Sequence, residues 1–117
     1  DAVSEDGVYL GGAIAPGIEI SMDALVGRAS ALRAVELTAP RNVLGKSTVE
    51  SIQSGAVYGF AAQVDGLCDL IEAELGTCTV ISTGGLAETI TPFSKRIQHT
   101  EPWLTLHGLR LIYEKNI

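Results

Sequence analysis

The chain has 117 residues, of which 46% are hydrophobic, so it can form at most one domain with a real core. Eight basic and 14 acidic residues give a net charge of -6 at pH 7. An acidic chain without a basic run has no electrostatic reason to bind nucleic acid or an anionic membrane. Its apolar runs fall well short of the roughly 20 residues that cross a bilayer, so no membrane partner is expected.

The first elements predicted are a β-hairpin and a helix. Asp6-Gly7 lies between two short apolar runs, which is a hairpin signal. A first strand that begins at residue 1 or 2 suggests that the chain has been cut out of a sheet. Residues 11–17 are small, and they form either a bulge and turn or a loop that lines a ligand. Ser21 or Asp23 then caps a helix that runs to about Leu32, followed by a short extended piece at residues 35–37.

The longest predicted element is a helix that starts at Ser47 and ends near Leu75. Ser47 and Glu50 have the spacing of a capping box, and Gly76 is a good C-cap residue. A continuous helix of this length is roughly 40 Å long, so the rest of the chain has to pack around it. Its apolar stripe consists of Val49, Ile52, Ala56, Phe60, Val64, Leu67, Ile71 and Leu75.

The same helix carries a second series of small residues. Each glycine inside a helix costs roughly 1 kcal/mol relative to alanine, so several of them need a reason. We expect close approach by another backbone, either within one subunit or from a second copy of the chain. The series consists of Gly55, Gly59, Ala62 and Gly66.

The start of the long helix resembles the end of a phosphate-binding P-loop, with the sequence Gly45-Lys46-Ser47. The P-loop pattern needs a glycine where this chain has Pro40, and it needs a strand before the loop. We therefore reject a P-loop nucleotide hydrolase. Thr48 lies in the first turn, where its hydroxyl could meet a ligand; from the residues alone it is better explained as an ordinary first-turn residue.

After the long helix we predict a buried strand at residues 77–82, the turn Thr83-Gly84-Gly85 and a helix at residues 86–90. A strand, a glycine pair and a helix often bring a backbone against a nucleotide, although most such turns bind nothing. A strand at residues 95–99 and a last helix with Pro102 in its first turn complete the chain. Trp103 and Tyr113 are predicted to be packing residues.

The cysteines and histidines show no metal-site spacing. Two cysteines permit one disulfide by count, but we expect Cys68 and Cys78 to be buried, reduced thiols of a cytoplasmic protein. His99 is predicted at a loop or strand end, and His107 on an exposed helix surface. Neither has a nucleophile near it in the sequence, so neither is assigned a catalytic role.

The element order predicts an α/β or mixed layer domain whose small sheet has exposed edges. We therefore expect residues 1–117 to be a single partial domain, one lobe of a larger two-lobed protein.

Four motifs, in this order, resemble the C-terminal half of type III pantothenate kinases, and the likeness covers nearly the whole chain. The family's second motif reads G-K-N-T. This chain has Ser47 in place of the asparagine, which is a conservative change for a helix cap. The motifs are residues 10–17, residues 43–55, Ser82-Thr83-Gly84-Gly85-Leu86-Ala87 and residues 104–109.

The resemblance implies an actin-like, ribonuclease-H-like kinase fold, of which this chain is the C-terminal lobe, with a small mixed sheet packed by a long helix. It implies that ATP, with Mg²⁺, phosphorylates pantothenate to 4'-phosphopantothenate, the first step of coenzyme A biosynthesis. Thr48 matches a pantothenate-binding threonine, and Gly84 and Gly85 lie where the fold holds the adenosine of ATP. Residues 11–17 should lie near the cleft, and a homodimer would suit the small residues from Gly55 to Gly66.

The resemblance also implies that the catalytic aspartate and the ligand of a monovalent cation, K⁺ or NH₄⁺, precede residue 1. No residue here matches the general base, and no metal ligand is assigned. We therefore expect the isolated chain to be inactive and its full-length parent to be an active kinase. The alternative is a non-catalytic, transcription-associated accessory factor with the same fold.

Overall fold

The computed structural model describes residues 1–28 and 34–117 and shows a mixed α/β chain. Over these residues the elements follow the predicted order, with one 3₁₀ turn, Thr91–Phe93, added after the short helix. The strands are β1 (Ala2–Val3), β2 (Tyr9–Gly11), β3 (Ile81–Ser82) and β4 (His99–Thr100), and the helices are α1 (Ile18–Arg28), α2 (Thr48–Leu75), α3 (Ala87–Ile90) and α4 (Leu104–Lys115).

In the described parts of the chain, the strands form two pairs rather than the one small mixed sheet that was expected. β1 and β2 are antiparallel on either side of Asp6-Gly7, so the hairpin prediction is confirmed. β3 and β4 are parallel, with Ile81 opposite His99 and Ser82 opposite Thr100. The carboxyl ends of β3 and β4 therefore lie at the same edge of their pair.

The long helix α2 matches its prediction at both ends. Ser47 is the N-cap, and its hydroxyl oxygen accepts a hydrogen bond from the backbone N–H of Glu50 at 3.2 Å. The helix ends at Leu75, and Gly76 follows as the C-cap with φ of 86°. Both ends could be predicted because capping depends on residues within one turn of the helix terminus.

The core lies along one side of α2, where α1 and α3 pack against it. Ile18 of α1, Ala61 of α2 and Ile90 of α3 form its centre, and each side chain is no more than 6% exposed. One turn before Ala61, Val57 is completely buried. Partly buried apolar side chains surround this centre: Met22, Leu37, Phe60, Val64 and Leu86.

The first helix begins earlier than predicted. α1 starts at Ile18, so Ser21 and Asp23 are not its caps. The N–H of Ser21 donates to the carbonyl oxygen of Gly17 at 3.0 Å, which places Ser21 inside the first turn. Burial of Ile18 against α2 fixes this start, a tertiary effect that the local sequence does not show. The predicted end near Leu32 lies outside the described residues.

β3 is shorter than the strand predicted at residues 77–82 because side chains bind the backbone donors there. The N–H of Cys78 donates to the Glu72 carboxylate at 3.1 Å. The N–H of Val80 donates to the side-chain oxygen of Gln98 at 2.7 Å. These donors are therefore satisfied without a neighbouring strand.

Two other extended segments were predicted wrongly. Residues 95–98 are a bend and irregular backbone rather than a strand, and only His99 of the predicted segment belongs to β4. Residues 35–37 form no strand, although Gln53 holds their backbone. In both places a side chain of α2 binds the backbone of a distant segment, which the local residue pattern cannot indicate.

The last helix is present but begins later than predicted. α4 starts at Leu104, so Pro102 lies outside its first turn, and the N–H of Trp103 donates to the Glu101 carboxylate at 3.0 Å. Trp103 and Tyr113 are 60% and 67% exposed, so they are not packing residues within the described chain. None of the 12 residues of α4 is buried.

The chain is extended for its length. Its radius of gyration is 17.0 Å, against about 13 Å for a compact domain of this size. Large apolar side chains are exposed on the hairpin and on α4, including Tyr9 at 64% and Ile112 at 61%. Among the described helices, none combines the length and the apolarity needed to cross a bilayer.

The small residues of α2 face outward. A Cβ atom built on Gly55, Gly59 or Gly66 would meet no atom of the described chain within 4 Å. Ala62 is exposed on the same helix. None of these positions is closely packed by the described residues, and close approach by another backbone, from the same subunit or from a second copy, stays a prediction.

Gly45 lies where the fold leaves no room for a side chain. A Cβ atom there would lie 2.5 Å from the backbone N of Ser51 and 2.7 Å from the carbonyl carbon of Glu50. Both atoms belong to the backbone of the first turn of α2, so they cannot rotate away. The loop before α2 can approach the helix this closely only with glycine at this position.

We predict that Gly45→Ala destabilises the full-length protein, meaning the complete natural gene product that carries these residues. The added methyl group forces the loop away from α2 and should cost on the order of 1–3 kcal/mol. Chemical denaturation measures this difference. Gly27→Ala on α1 is the control, because a Cβ atom built there would meet no atom of the described residues within 4 Å, and alanine should stabilise the helix by up to about 1 kcal/mol. Equal unfolding free energies for Gly45→Ala and wild type would contradict the packing described.

Candidate functional site

Thr48 is the first residue of α2, and its side chain is exposed. Hydrogen bonds hold the backbone on both sides of Thr48. Ser47 accepts the N–H of Glu50, and the Glu50 carboxylate accepts the N–H of Lys46 at 2.6 Å. This exchange is offset by one residue from a standard capping box, in which the carboxylate would bind the N–H of Ser47 itself. Thr48 is thus presented to solvent on a fixed helix end.

The loop before Thr48, residues 36–46, is fastened to the side of α2. Three side chains on two successive turns of the helix donate hydrogen bonds to it, two of them from partly buried positions. These hydrogen bonds satisfy loop carbonyls and tie the approach to Thr48 to the side of α2. Gln53 donates to the Glu36 carbonyl and the Thr38 hydroxyl at 3.0 and 3.2 Å, Ser54 donates to the Val43 carbonyl, and Tyr58 donates to the Pro40 carbonyl at 2.6 Å.

The loop does not have the geometry of a P-loop. Residues 34–40 contain no strand, and Pro40 is buried where a P-loop has its first glycine. Gly45 packs on the backbone of Glu50 and Ser51 instead of curling around a phosphate. The structure therefore supports the rejection of a P-loop.

A cluster of hydroxyl groups lies at the carboxyl end of the parallel pair. The hydroxyl oxygen of Ser82, the last residue of β3, lies 3.0 Å from that of Thr100 and 3.5 Å from that of Thr91. Thr91 also donates to the carbonyl oxygen of Ala87 in α3 at 2.7 Å. The cluster therefore connects β3, β4, α3 and the 3₁₀ turn at the strand end that leads into the Gly84-Gly85 turn.

The turn that contains Gly84 and Gly85 is open to a ligand. Gly84 has φ of 102°, a conformation that L side chains rarely adopt. Both glycines are exposed, and a Cβ atom on either would meet nothing within 4 Å in the described chain. Ligands of α/β proteins bind at the carboxyl ends of parallel strands, where this turn lies.

A carboxylate of α2 holds the segment that leads into β4. Asp65 accepts hydrogen bonds from the Ser94 hydroxyl at 2.6 Å and from the N–H groups of Lys95 and Arg96 at 2.9 and 3.3 Å. Burial by itself would raise the pKa of Asp65. The hydrogen bonds from Ser94, Lys95 and Arg96 outweigh it and hold that pKa below its ordinary value. Asp65 is therefore ionised at neutral pH and fixes the turn at residues 94–97.

Arg96 extends this contact towards the end of α2. Its guanidinium group pairs with Asp69 and with Glu72. The hydrogen bond from Arg96, followed by the one from the Cys78 N–H, lowers the pKa of Glu72. We use the name carboxylate clamp for Asp65, Asp69 and Glu72, which together hold the segments before β3 and β4 on α2.

The two candidate ligand positions lie at different levels of α2. Leu86, next to Gly85, packs on the core cluster that contains Ala61. Thr48 is 13 residues before Ala61, or about 20 Å along the helix axis. A ligand pair that used Thr48 and the Gly84-Gly85 turn would therefore extend along α2.

The structure adds residues that sequence reasoning missed. Asp65, Asp69 and Glu72 are spaced by four and three, which places three carboxylates on one helix face, but that pattern is also typical of a solvated surface. Tyr58 and Arg96 gave no signal, because each contacts a segment distant in sequence.

The cysteines and histidines behave as predicted in part. Cys68 and Cys78 are free thiols, although both are half-buried rather than buried. Burial raises the pKa of Cys68, so this thiol is protonated at neutral pH. His99 begins β4, and His107 is exposed on α4. Across residues 1–28 and 34–117, no group of three or more His, Cys, Asp or Glu side chains is placed to hold a metal ion.

Comparison with known proteins decides the family. The family model described as type III pantothenate kinase matches residues 1–70. The chain belongs to this family. A Frankia alni protein named type III pantothenate kinase is 58% identical over 118 residues, which cover 100% of this chain and 47% of the relative.

Other relatives with the same name have similar coverage. The Saccharopolyspora erythraea protein is 59% identical over 121 residues, covering 99% of this chain and 46% of the relative. The Streptomyces coelicolor protein is 54% identical over 121 residues, covering 100% of this chain and 46% of the relative. The chain thus spans about half the length of the curated relatives it matches. The family inferred from four motifs in the sequence is confirmed.

The carboxylate clamp yields a pH prediction. Because the folded pKa of Asp65 is below its ordinary value of 3.8, ionised Asp65 stabilises the fold at pH values above 3.8, and this contribution is lost as the pH falls through the lower folded pKa. Asp65→Asn should therefore cost about 1–3 kcal/mol at neutral pH and progressively less in acid. Denaturation of both proteins across the acid range measures the difference.

Asp69→Asn is the matched control, since this side chain is 64% exposed and its ion pair should contribute less than about 1 kcal/mol. A cost of Asp65→Asn that stays constant between neutral pH and acid would show that the Asp65 charge does not hold the turn.

Proposed function

We propose that residues 1–117 are the C-terminal lobe of a two-lobed kinase with the actin-like, ribonuclease-H-like fold, and a single partial domain. The small core, the exposed face of α4 and the 17.0 Å radius of gyration support this. Apolar surface of this extent marks an interface in a folded protein. The length of the curated relatives, about twice that of this chain, leaves room for a second lobe.

The reaction we propose is transfer of phosphate from ATP to the hydroxyl of pantothenate, which gives 4'-phosphopantothenate, the first step of coenzyme A biosynthesis. The observation that carries it is Thr48, exposed at a capped helix end in a chain 58% identical to a named type III pantothenate kinase. We assign the Thr48 hydroxyl a hydrogen bond to pantothenate. The loop of residues 36–46, which Ser54 and Tyr58 hold on α2, supports the placement of that hydroxyl.

For ATP, we assign the adenosine to the Gly84-Gly85 turn. The left-handed conformation of Gly84 and the absence of side chains let a nucleoside approach the backbone there. The separation of about 20 Å along α2 then runs from the adenosine towards the phosphate acceptor. Residues 11–17 would lie near the same cleft.

The catalytic groups come from the other lobe in this proposal. Phosphoryl transfer depends on positioning and on neutralising charge, and no residue of this chain is assigned as the general base. The catalytic aspartate, the Mg²⁺ that accompanies ATP and the ligand of a K⁺ or NH₄⁺ ion belong to the full-length protein. The isolated chain would then be inactive. The full-length protein would act in the cytoplasm.

We further propose a homodimer that forms through the small-residue face of α2. Thr48, Gly55 and Ala62 are spaced by seven and lie on one helix face with Gly59 and Gly66. This places Thr48 at the edge of the dimer contact. Exposed glycines with open space above them are suited to the close approach of a second helix backbone.

The non-catalytic accessory factor gains no support from the relatives described above, all of which are named kinases. Pantothenate-dependent release of ADP by the full-length protein separates the two functions. Robust release is expected, and its absence would favour the accessory factor.

Substitution of Thr48 tests the pantothenate site. Thr48→Ala removes one neutral hydrogen bond and should raise KM for pantothenate about 2- to 10-fold, because such a bond contributes roughly 0.5–1.5 kcal/mol. Thr48→Ser retains the hydroxyl and should remain near wild type. Steady-state kinetics of the full-length protein, with ATP saturating, measures KM.

Lys46→Ala is the neighbouring control, and it should leave KM for both substrates unchanged. Loss of nucleotide binding in Lys46→Ala would favour the P-loop hypothesis. An unchanged KM for pantothenate in Thr48→Ala would show that Thr48 does not contact pantothenate.

The dimer is tested with Gly59→Leu, which fills the open space above α2. We expect the full-length protein to shift from dimer to monomer in sedimentation velocity measurements, since a leucine prevents close backbone approach. Glu74→Leu, exposed on α2 two turns beyond Gly66, places the same side chain outside the small-residue series and should remain dimeric. If Gly59→Leu sediments like wild type, the interface is elsewhere.

A further inference from the structure

Tyr58 contacts two parts of the chain that belong to different substrates in the proposed function. Its hydroxyl donates to the carbonyl oxygen of Pro40 at 2.6 Å. Its ring meets the ring of Phe93 edge-on, with centroids 5.2 Å apart and an interplanar angle of 87°. Tyr58 therefore lies between the loop that leads to Thr48 and the 3₁₀ turn that follows α3.

On the pantothenate side, the hydroxyl of Tyr58 acts through the loop. Pro40 is buried, and its carbonyl is held by Tyr58 in a partly buried place. The other side chains that fasten this loop, Gln53 and Ser54, bind it at Glu36, Thr38 and Val43. Loss of the Tyr58 hydroxyl would leave the Pro40 carbonyl without this donor and would loosen the middle of the loop.

On the nucleotide side, Phe93 fixes the ring of Tyr58. Phe93 ends the 3₁₀ turn, and Thr91 at its start binds both Ala87 of α3 and Ser82 of β3. This connects Phe93 to the element that carries the Gly84-Gly85 turn. An edge-to-face aromatic pair fixes orientation as well as contact, so it restricts where the Tyr58 hydroxyl can point.

We propose that Tyr58 is a positioning residue for pantothenate: its hydroxyl holds the loop that presents Thr48, and Phe93 keeps that hydroxyl aimed at Pro40. This inference rests on the proposed kinase function and on Thr48 as the pantothenate contact. Tyr58 itself touches no substrate.

Tyr58→Phe in the full-length protein keeps the ring and removes the hydroxyl. We expect KM for pantothenate to rise about 2- to 10-fold, the effect of losing one neutral hydrogen bond, while kcat and KM for ATP stay within about twofold of wild type. A merely structural loss would lower stability without this selective change in KM. Tyr113→Phe, the same chemical change on α4, which contributes no residue to either candidate ligand position, is the control and should match wild type.

Phe93→Leu tests the second half of the proposal. It removes the aromatic pair and should raise KM for pantothenate through Tyr58, although Phe93 lies on the nucleotide side. In the double variant Tyr58→Phe/Phe93→Leu the two increases in KM for pantothenate should be less than additive. Without the Tyr58 hydroxyl, Phe93 no longer has a hydrogen bond to orient. Additive effects would overturn the role given to Phe93.

The outcomes separate the inference from the function beneath it. If wild type phosphorylates pantothenate and Tyr58→Phe has the same KM for pantothenate, the positioning role is wrong and the kinase function stands. The positioning role is also wrong if KM for ATP rises in Tyr58→Phe as much as KM for pantothenate. If wild type does not phosphorylate pantothenate, the proposed function is wrong and the inference falls with it.

Discussion

Side chains of α2 hold, by hydrogen bonds, the two segments that carry the candidate ligand positions. Its first half binds the loop of residues 36–46 through Gln53, Ser54 and Tyr58. Its second half binds the segments before β3 and β4 through the carboxylate clamp. With so small an apolar core, these polar contacts set where the loop and the β3–β4 pair lie along the helix. The geometry of the site therefore depends on the continuity of α2.

Local signals in the sequence were sufficient for the elements but not for the contacts between them. The caps of α2, the hairpin turn at Asp6-Gly7 and the order of helices and strands all depend on neighbouring residues, and all were predicted. The strand at residues 95–99 was predicted wrongly because Asp65, about 30 positions earlier, binds its backbone. The start of α1 was wrong for the same reason, since burial of Ile18 decides it. No local pattern contains such partners.

The candidate site shows the same division. Thr48, Gly84 and Gly85 could be named from motifs, and the structure exposes all three. Their separation along α2 could not be predicted from the sequence, because it depends on the packing of α3 near Ala61. The exposed small-residue face of α2 and the bare surface of α4 have no partner among the described residues. Both are accounted for if this chain is one lobe of a dimeric two-lobed enzyme, as proposed.

The most direct test is a crystal structure of the full-length protein with pantothenate and a non-hydrolysable ATP analogue. We expect the Thr48 hydroxyl within hydrogen-bond distance, about 3 Å, of pantothenate. We also expect the adenosine against the Gly84-Gly85 turn, with both ligands spread along α2. Pantothenate bound away from the start of α2, with Thr48 still in solvent, would contradict the proposed site.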